Sequence, residues 1–581
     1  MQRNGFGYEE VATDALIIGA GAAGLRAAIE LAESGVRPLV LGKRRHGDAH
    51  TIWAAGGINA SLGTRDPEDR WEIHAADTIR EGHFVNDPRA VELLARNAPD
   101  RIRELAGWGC GFSRTEDGEL DQRYFGAQSY RRTCFAGDET GEAILSTLVA
   151  KARELGVPYR ENVYVTKILT DQERAVGAAG YDMESGRYLV FRAPAVVMAA
   201  GGLTALYARS SSRPDENTGD AVALAYEAGA ALRDMEFVQF HPTGMVKPEE
   251  LSGELVTEAV RGEGGRLLNA RGERFMERYS PEHLELDARD VVARANYAEI
   301  QTGRGTEDGA VLLDISHRSP EYIRERLPRM YRQFKKVGVD ITREPMEVAP
   351  TAHYAMGGVE VDFGTGATTL PGLFAIGEAT AGLHGANRLG GNSLAETVVF
   401  GELTGRYLAE YLRDAPRPAL PRRAVEDHLE ALDSLADSGG GHDPQELIEE
   451  LRSIMWDHAG IVRTGEGIRA GLDRLAGLER RAGSAAAEGA GSRSFELANN
   501  LRFMLVAAEA VLRSALARRE SRGAHFREDA PEESAGWQKN IICEKGNHGE
   551  MLLRTEPVGE IPAEIQAALA EEHSLEYHHL E

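Results

Sequence analysis

The block ALIIGAGAAGLRAAIELAESG near the start of the chain constrains the fold more than any other stretch. Ala15-Leu16-Ile17-Ile18 is a short, wholly apolar run, as a strand buried on both faces requires. Gly19, Gly21 and Gly24 follow at G-x-G-x-x-G spacing. Gly19 permits the tight turn, Gly21 lets the backbone approach a pyrophosphate, and Gly24 lets the helix lie against the strand. The phosphates then face the positive end of that helix. The pattern predicts a helix over 25–33, ended by Gly35, and a second strand at Pro38-Leu39-Val40-Leu41. A glycine turn in another α/β domain would give the same letters, so context decides. After the second strand an NAD dehydrogenase places an acidic ribose reader, whereas this chain reads Leu41-Gly42-Lys43. A plain NAD enzyme is disfavoured.

The same strand–glycine–helix order returns far downstream in LPGLFAIGEAT (370–380), where the Glu378 carboxylate suits a ribose hydroxyl. Two agreeing halves separated by an insertion point to FAD. Between them the sequence predicts a helix over 142–155, a strand in VYVTKIL, a buried strand at 195–200 closed by Gly201-Gly202, and a helix opened by NTGD (217–220). From 232 to 350 the composition changes to Gly- and Arg-rich turns and an amphipathic helical stretch, EYIRERLPRMYRQF. The fold class is therefore α/β: a Rossmann-like FAD-binding domain (1–231 and 351–413) split by an inserted α+β capping domain (232–350). A helical domain (414–529) and a small mixed tail (530–581) follow. AGSAAAEGAGSRS (482–494) is expected to be a flexible helix connection.

Charge and cysteine usage remove several functions. With 66 Lys+Arg against 92 Asp+Glu the formal charge is −26, and only eight of the cations are Lys. Such a surface repels phosphate, so nucleic acid is not an expected partner. Three cysteines, Cys110, Cys134 and Cys543, cannot ligate an iron–sulfur cluster or build a disulfide framework. Any such cluster must sit on another chain. None of the three lies in C-x-x-C, and they are expected to be small buried residues. The terminal YHHLE (577–581) is expected to be a polar tail rather than a metal site, and no metal is expected. The longest uncharged run, 193–208, is 16 residues interrupted by Gly201-Gly202, too short to span a bilayer. The N-terminus has no apolar signal core, so a soluble cytoplasmic chain is expected.

Several stretches in order resemble the flavoprotein subunit of succinate dehydrogenase and fumarate reductase, a superfamily that also contains L-aspartate oxidase. They are HTIWAAGGINASLG (50–63), FGAQSYRRT (125–133), NTGD, FVQFHPTG (237–244), TEAVRGEGG (257–265), ARDVVARA (288–295), PTAHYAMGGV (350–359), LFAIGEATAGLHGANRLGGNSL (373–394) and SRGAH (521–525). The resemblance implies hydride exchange between succinate or fumarate and flavin N5. It implies a dicarboxylate site made by His241, Thr257, His353 and Arg388, where an arginine offers a bidentate fork. It implies Arg289 as proton donor and acceptor, with Glu258 and Arg261 as its relay. Lys43, Gly57, Asp220, Ser393 and Leu394 join Gly19, Gly21, Gly24 and Glu378 as expected cofactor contacts. His50 stands where this family attaches FAD covalently, and attachment is expected here.

Phe125 bears on the substrate. Where an aspartate oxidase looks to place a Glu that would meet the substrate ammonium, Phe125 has no charge, so a plain dicarboxylate fits better. L-aspartate oxidase remains the alternative reading. The segment from 125 to 132 matches fumarate reductase in length, which leaves the physiological direction open. The resemblance also implies a separate iron–sulfur subunit. Membrane anchors would hold this chain indirectly, at the inner face of the cell membrane.

Overall fold

The structure, a computed structural model, describes residues 7–437 and 441–571, so YHHLE lies outside the described residues. The apolar runs form the strands expected of them. Leu373–Ala375, Ala195–Met198, Ala15–Ile18, Pro38–Leu41 and Tyr159–Arg160 lie side by side and parallel, with Leu16 opposite Leu39 and Val196. All four residues of Ala15–Ile18 are buried, which explains the absence of alternation in that strand. The helix Ala22–Glu33 starts earlier than its apolar periodicity suggests, because Gly21 is already its extended N-cap. A Cβ at Gly24 would run into the Gly19 carbonyl, so only glycine permits this helix–strand contact.

A second sheet, formed by Tyr8–Ala12, Tyr188–Arg192, Arg174–Asp182 and Val163–Asp171, flanks the first. The insertion builds its own antiparallel sheet in the order Val238–Met245, Met346–Ala355, Val311–Asp314 and Arg266–Leu268. The residue 350 boundary falls inside Met346–Ala355, whose far end carries His353 and Tyr354 back toward the FAD-binding domain. From 530 onward the chain adds a hairpin, Lys539–Lys545 and Met551–Pro557, to the large sheet, with Cys543 opposite Leu232.

One helical stretch is divided, and one local expectation changes. EYIRERLPRMYRQF forms two helices, Pro320–Arg326 and Pro328–Lys336, because Pro328 cannot continue the first and pushes Leu327 out of helical geometry (φ −132°, ψ 50°). The connection over 482–494 is packed rather than free, with Ala485 and Ala487 buried between Gly465–Ala482 and Arg493–Ala517. The three cysteines are buried, and burial pushes their thiols up, Cys110 to about 11 and Cys134 and Cys543 to about 12.

Candidate active site

A long cavity runs from the first glycine turn to the insertion sheet. One end is the Gly19–Gly21 turn at the start of Ala22–Glu33. Gly19 lies at φ +117°, and a Cβ there would strike the Ala199 carbonyl. Lys43 and Asp220 both line this end but pair with each other, and Lys43 lies 4.2 Å above the Tyr164 ring. They therefore present a neutralised wall.

His50, Gly57 and Glu378 line the middle. Glu378 accepts the Ala355 N–H at 3.1 Å, and burial raises its carboxyl to about 7. Beyond it the helix Asn392–Tyr411 begins, and Gly391, Ser393 and Leu394 line the cavity there. The positive end of this helix favours negative charge in the cavity. Its start is pinned from below, where Asn392 Oδ1 accepts from Asn59 Nδ2 at 2.7 Å and contacts His74 Nε2 at 2.8 Å. A phosphate-facing turn, a buried carboxyl and a second helix N-terminus along one cavity fit FAD.

The other end is cationic. Across the insertion sheet Gln239 pairs with Tyr354 and Phe240 with Ala352, so His353 is an extra residue in its strand. This bulge turns His353 into the cavity beside His241, with ring centroids 5.1 Å apart. Both imidazoles are held well below their ordinary pKa. Burial is the main cause for each, followed by Arg289 for His241 and by His241 and Arg388 for His353. The Thr243 N–H donates to His241 Nδ1 at 3.2 Å, which leaves Nε2 to carry the proton, and Nε2 has no protein partner. Ser211 Oγ lies 2.9 Å from His353 Nδ1.

Arg388 is buried with its guanidinium 4.3 Å over the Tyr354 ring, and burial followed by the neighbouring Arg289 lowers its pKa to about 9. Arg289 opens the helix Arg289–Glu299 and donates from Nε to Glu258 Oε2 at 2.8 Å, while Nη2 stands 2.7 Å from the same oxygen. Burial would raise the Glu258 carboxyl, but Arg289 and Arg261 outweigh it and hold it at about 2. Arg261 Nη2 lies 3.7 Å behind Glu258, and Nη1 donates to the Glu285 carbonyl. Thr257 and Phe125 complete the wall, Phe125 packing edge-close to Gly56.

The expected site residues thus line one cavity, apart from Gly24, which packs the helix beneath it, and Arg261, which stands behind Glu258. Sequence reasoning missed Gln239. Its Oε1 accepts from both Arg289 Nη1 and Arg388 Nη2 at 3.1 Å, and its Nε2 donates to Asn387 Oδ1 at 2.7 Å and to the Arg388 carbonyl at 2.8 Å. The signal was present, since Gln239 lies two residues from His241 on a strand and shares its face. Gly126, whose N–H donates to Glu258 Oε1 at 2.8 Å, and Glu216, beside His50, were also missed. Gln239→Leu leaves two buried guanidinium groups without their common acceptor. It is expected to weaken binding of an anionic substrate at this end about tenfold, read as KM; an unchanged KM in steady-state assays would remove Gln239 from this positioning role.

Comparison with known proteins agrees with this geometry. Residues 14–394 match the family described as FAD binding domain, and residues 448–568 match that described as fumarate reductase flavoprotein C-term. The chain is 45% identical over 544 residues to a subunit of the fumarate reductase (CoM/CoB) of Methanothermobacter marburgensis, covering 93% of this chain and 98% of that one. It is 37% identical over 577 residues to the succinate dehydrogenase flavoprotein subunit of Rickettsia bellii, covering 94% and 95%. Among solved structures it resembles Mycobacterium smegmatis Sdh1 in complex with UQ1, with a TM-score of 0.86, 43% identity and 96% of each chain covered. It also resembles a variant of E. coli quinol fumarate reductase FrdA, with a TM-score of 0.90, 35% identity and coverage of 95% and 97%.

Proposed function

Because this chain belongs to the succinate dehydrogenase and fumarate reductase flavoprotein family, we propose that it interconverts succinate and fumarate by hydride exchange with flavin N5. One observation carries the reading: Arg388, His353, His241, Thr257 and Arg289 converge at the end of the cavity that the cofactor residues line. When bound, FAD supplies the two-electron acceptor or donor.

The residues themselves do the rest. Arg388 forks one carboxylate of the substrate, with His353 beside it, and His241 and Thr257 donate to the other. Two neutral histidines cost less to desolvate than two imidazolium ions, and His241 offers its Nε2–H without giving up a charge. Arg289 exchanges the proton at the carbon next to the hydride centre. Glu258 stays ionised beside it and links it to Arg261, so the proton has a charged path away from the substrate. The two carboxylate holders come from different domains, Arg388 from the FAD-binding domain and His241 from the insertion, so closing the insertion on the substrate excludes water.

FAD is expected to be joined to His50, which lines the cavity. Electrons then leave through a separate iron–sulfur subunit. Among the described residues no group of three or more His, Cys, Asp or Glu is placed to hold a metal, and no helix is long and apolar enough to cross a membrane. In this reading the chain sits at the inner membrane face through its partners. Phe125, 2% exposed and uncharged, supports a dicarboxylate over an amino acid substrate. The purified protein is expected to reduce a redox dye with succinate and not with L-aspartate. Turnover of aspartate without turnover of succinate would overturn the assignment.

A further inference from the structure

We propose that Glu216 is the positioning residue for His50: its carboxylate holds the imidazole through Nδ1 and leaves Nε2 as the nucleophile that bonds the flavin. The inference rests on the reading that His50 carries FAD covalently. His50 opens the short turn His50–Trp53 on the cavity wall, and Glu216 lies in the loop before Asp220–Ala228. Folding brings Glu216 Oε2 to 3.5 Å from His50 Nδ1, an ion-pair separation, and this buried nitrogen makes no hydrogen bond in the protein.

Glu216 is itself fixed. Arg213 Nε donates to Oε2 at 2.8 Å, Arg213 Nη2 pairs with Oε1, and Arg44 Nε stands 3.5 Å from Oε1. Burial would raise its carboxyl, yet His50 and Arg213 hold it at about 2. An ionised carboxylate only accepts, so the imidazole must place its N–H at Nδ1 and its lone pair at Nε2. A carboxylate behind an imidazole nucleophile is the arrangement that orients and activates it.

Joining Nε2 to the methyl carbon on the flavin's benzenoid ring forms one N–C bond and breaks one C–H bond. That proton goes to solvent, the C–H electron pair stays in the ring system, and the flavin ends two-electron reduced. The Nδ1 proton stays on the ring, and the ionised Glu216 carboxylate offsets the positive charge of the alkylated imidazolium. Fumarate, the oxidant of the proposed reaction, takes the two electrons with two protons and returns the flavin to its oxidised form.

The charged and titratable groups acting on His50 are Glu216, Glu378, Arg213 and His353. Burial opposes the His50 cation, but Glu216 outweighs it and the pKa is raised. Below that raised pKa both ring nitrogens carry protons and no lone pair is available, so attachment speeds up as pH rises through it. The test uses the full chain, depleted of flavin and then incubated with FAD and fumarate. Fluorescence of the band on a denaturing gel reads covalent flavin, and absorbance of the native protein reads total flavin.

Wild type is expected to become fully fluorescent. Glu216→Gln should bind the same total FAD but gain band fluorescence about 100-fold more slowly, with its pH midpoint moved down. Arg213→Gln, which loosens the clasp and leaves the carboxylate, should slow attachment far less. If Glu216→Gln fails to hold FAD, Glu216→Asp keeps the charge and should restore labelling; no restoration overturns the inference. Labelling of Glu216→Gln at the wild-type rate, or equal slowing by Arg213→Gln, also overturns it. A dark wild-type band with FAD released on unfolding instead refutes covalent attachment itself.

Discussion

Arg289→Gln is expected to lower both succinate oxidation and fumarate reduction by about 1,000- to 10,000-fold while FAD stays bound at full occupancy. Arginine is an unusual acid because its ordinary pKa exceeds 12. Its surroundings are what make the role reasonable. Arg289 is 7% exposed, with Arg388 sharing its Gln239 acceptor and Arg261 on the far side of Glu258. The fixed Glu258 carboxylate links Arg289 to Arg261, a charged route for the proton. Glutamine retains an uncharged polar group but can neither give nor take that proton. The residues proposed to hold FAD lie elsewhere along the cavity, so flavin absorbance should be unchanged. Activity within tenfold of wild type, in dye-coupled assays run in both directions, would remove Arg289 from the proton step.

His50→Ser is expected to abolish flavin fluorescence on a denaturing gel and to stop succinate oxidation, while fumarate reduction by a reduced dye persists. Bonding an imidazole to the flavin withdraws electron density from the ring and raises its potential, which favours accepting electrons from succinate. A dissociable flavin of lower potential can still pass electrons to fumarate. Serine fits the space and leaves the glycine turn and Glu378 in place. Two outcomes count against the assignment: a fluorescent His50→Ser band, or succinate oxidation at the wild-type rate in the variant. This result also frames the role of Glu216, since a carboxylate behind His50 matters only if His50 makes the bond.

The local grammar of the fold was legible because short-range sterics write it. Gly19 and Gly24 are where the sequence placed them, each barred to a Cβ by a neighbouring carbonyl. The two helical pieces around Pro328 show the same kind of rule, although the amphipathic pattern ran across the break and concealed it. Residue chemistry in the site was legible in part, through motifs that gather His, Arg and Glu within a few positions. The pairings among those residues were not. Lys43 and Asp220 both read as cofactor contacts, yet they meet and neutralise each other, since the fold brings two residues far apart in the chain into one ion pair.

By itself the sequence determined a split FAD-binding domain, an insertion bearing HPTG and ARD, and a chain with too few cysteines to hold an iron–sulfur cluster. Each depends on residue type and near spacing, and all three survive any arrangement of the domains. Tertiary structure decided which charges face which. The bulge that turns His353 toward His241 arises only when two distant strands pair out of step. Gln239 becomes the common acceptor of Arg289 and Arg388 only when the insertion closes on the FAD-binding domain. Glu216 reaches His50 only once the loop before Asp220–Ala228 folds against the cavity wall. The physical reason is the same in each case. Burial makes an unpaired charge expensive, so the partner of a buried group is set by what the fold brings within a few ångströms, and sequence spacing carries no record of that distance.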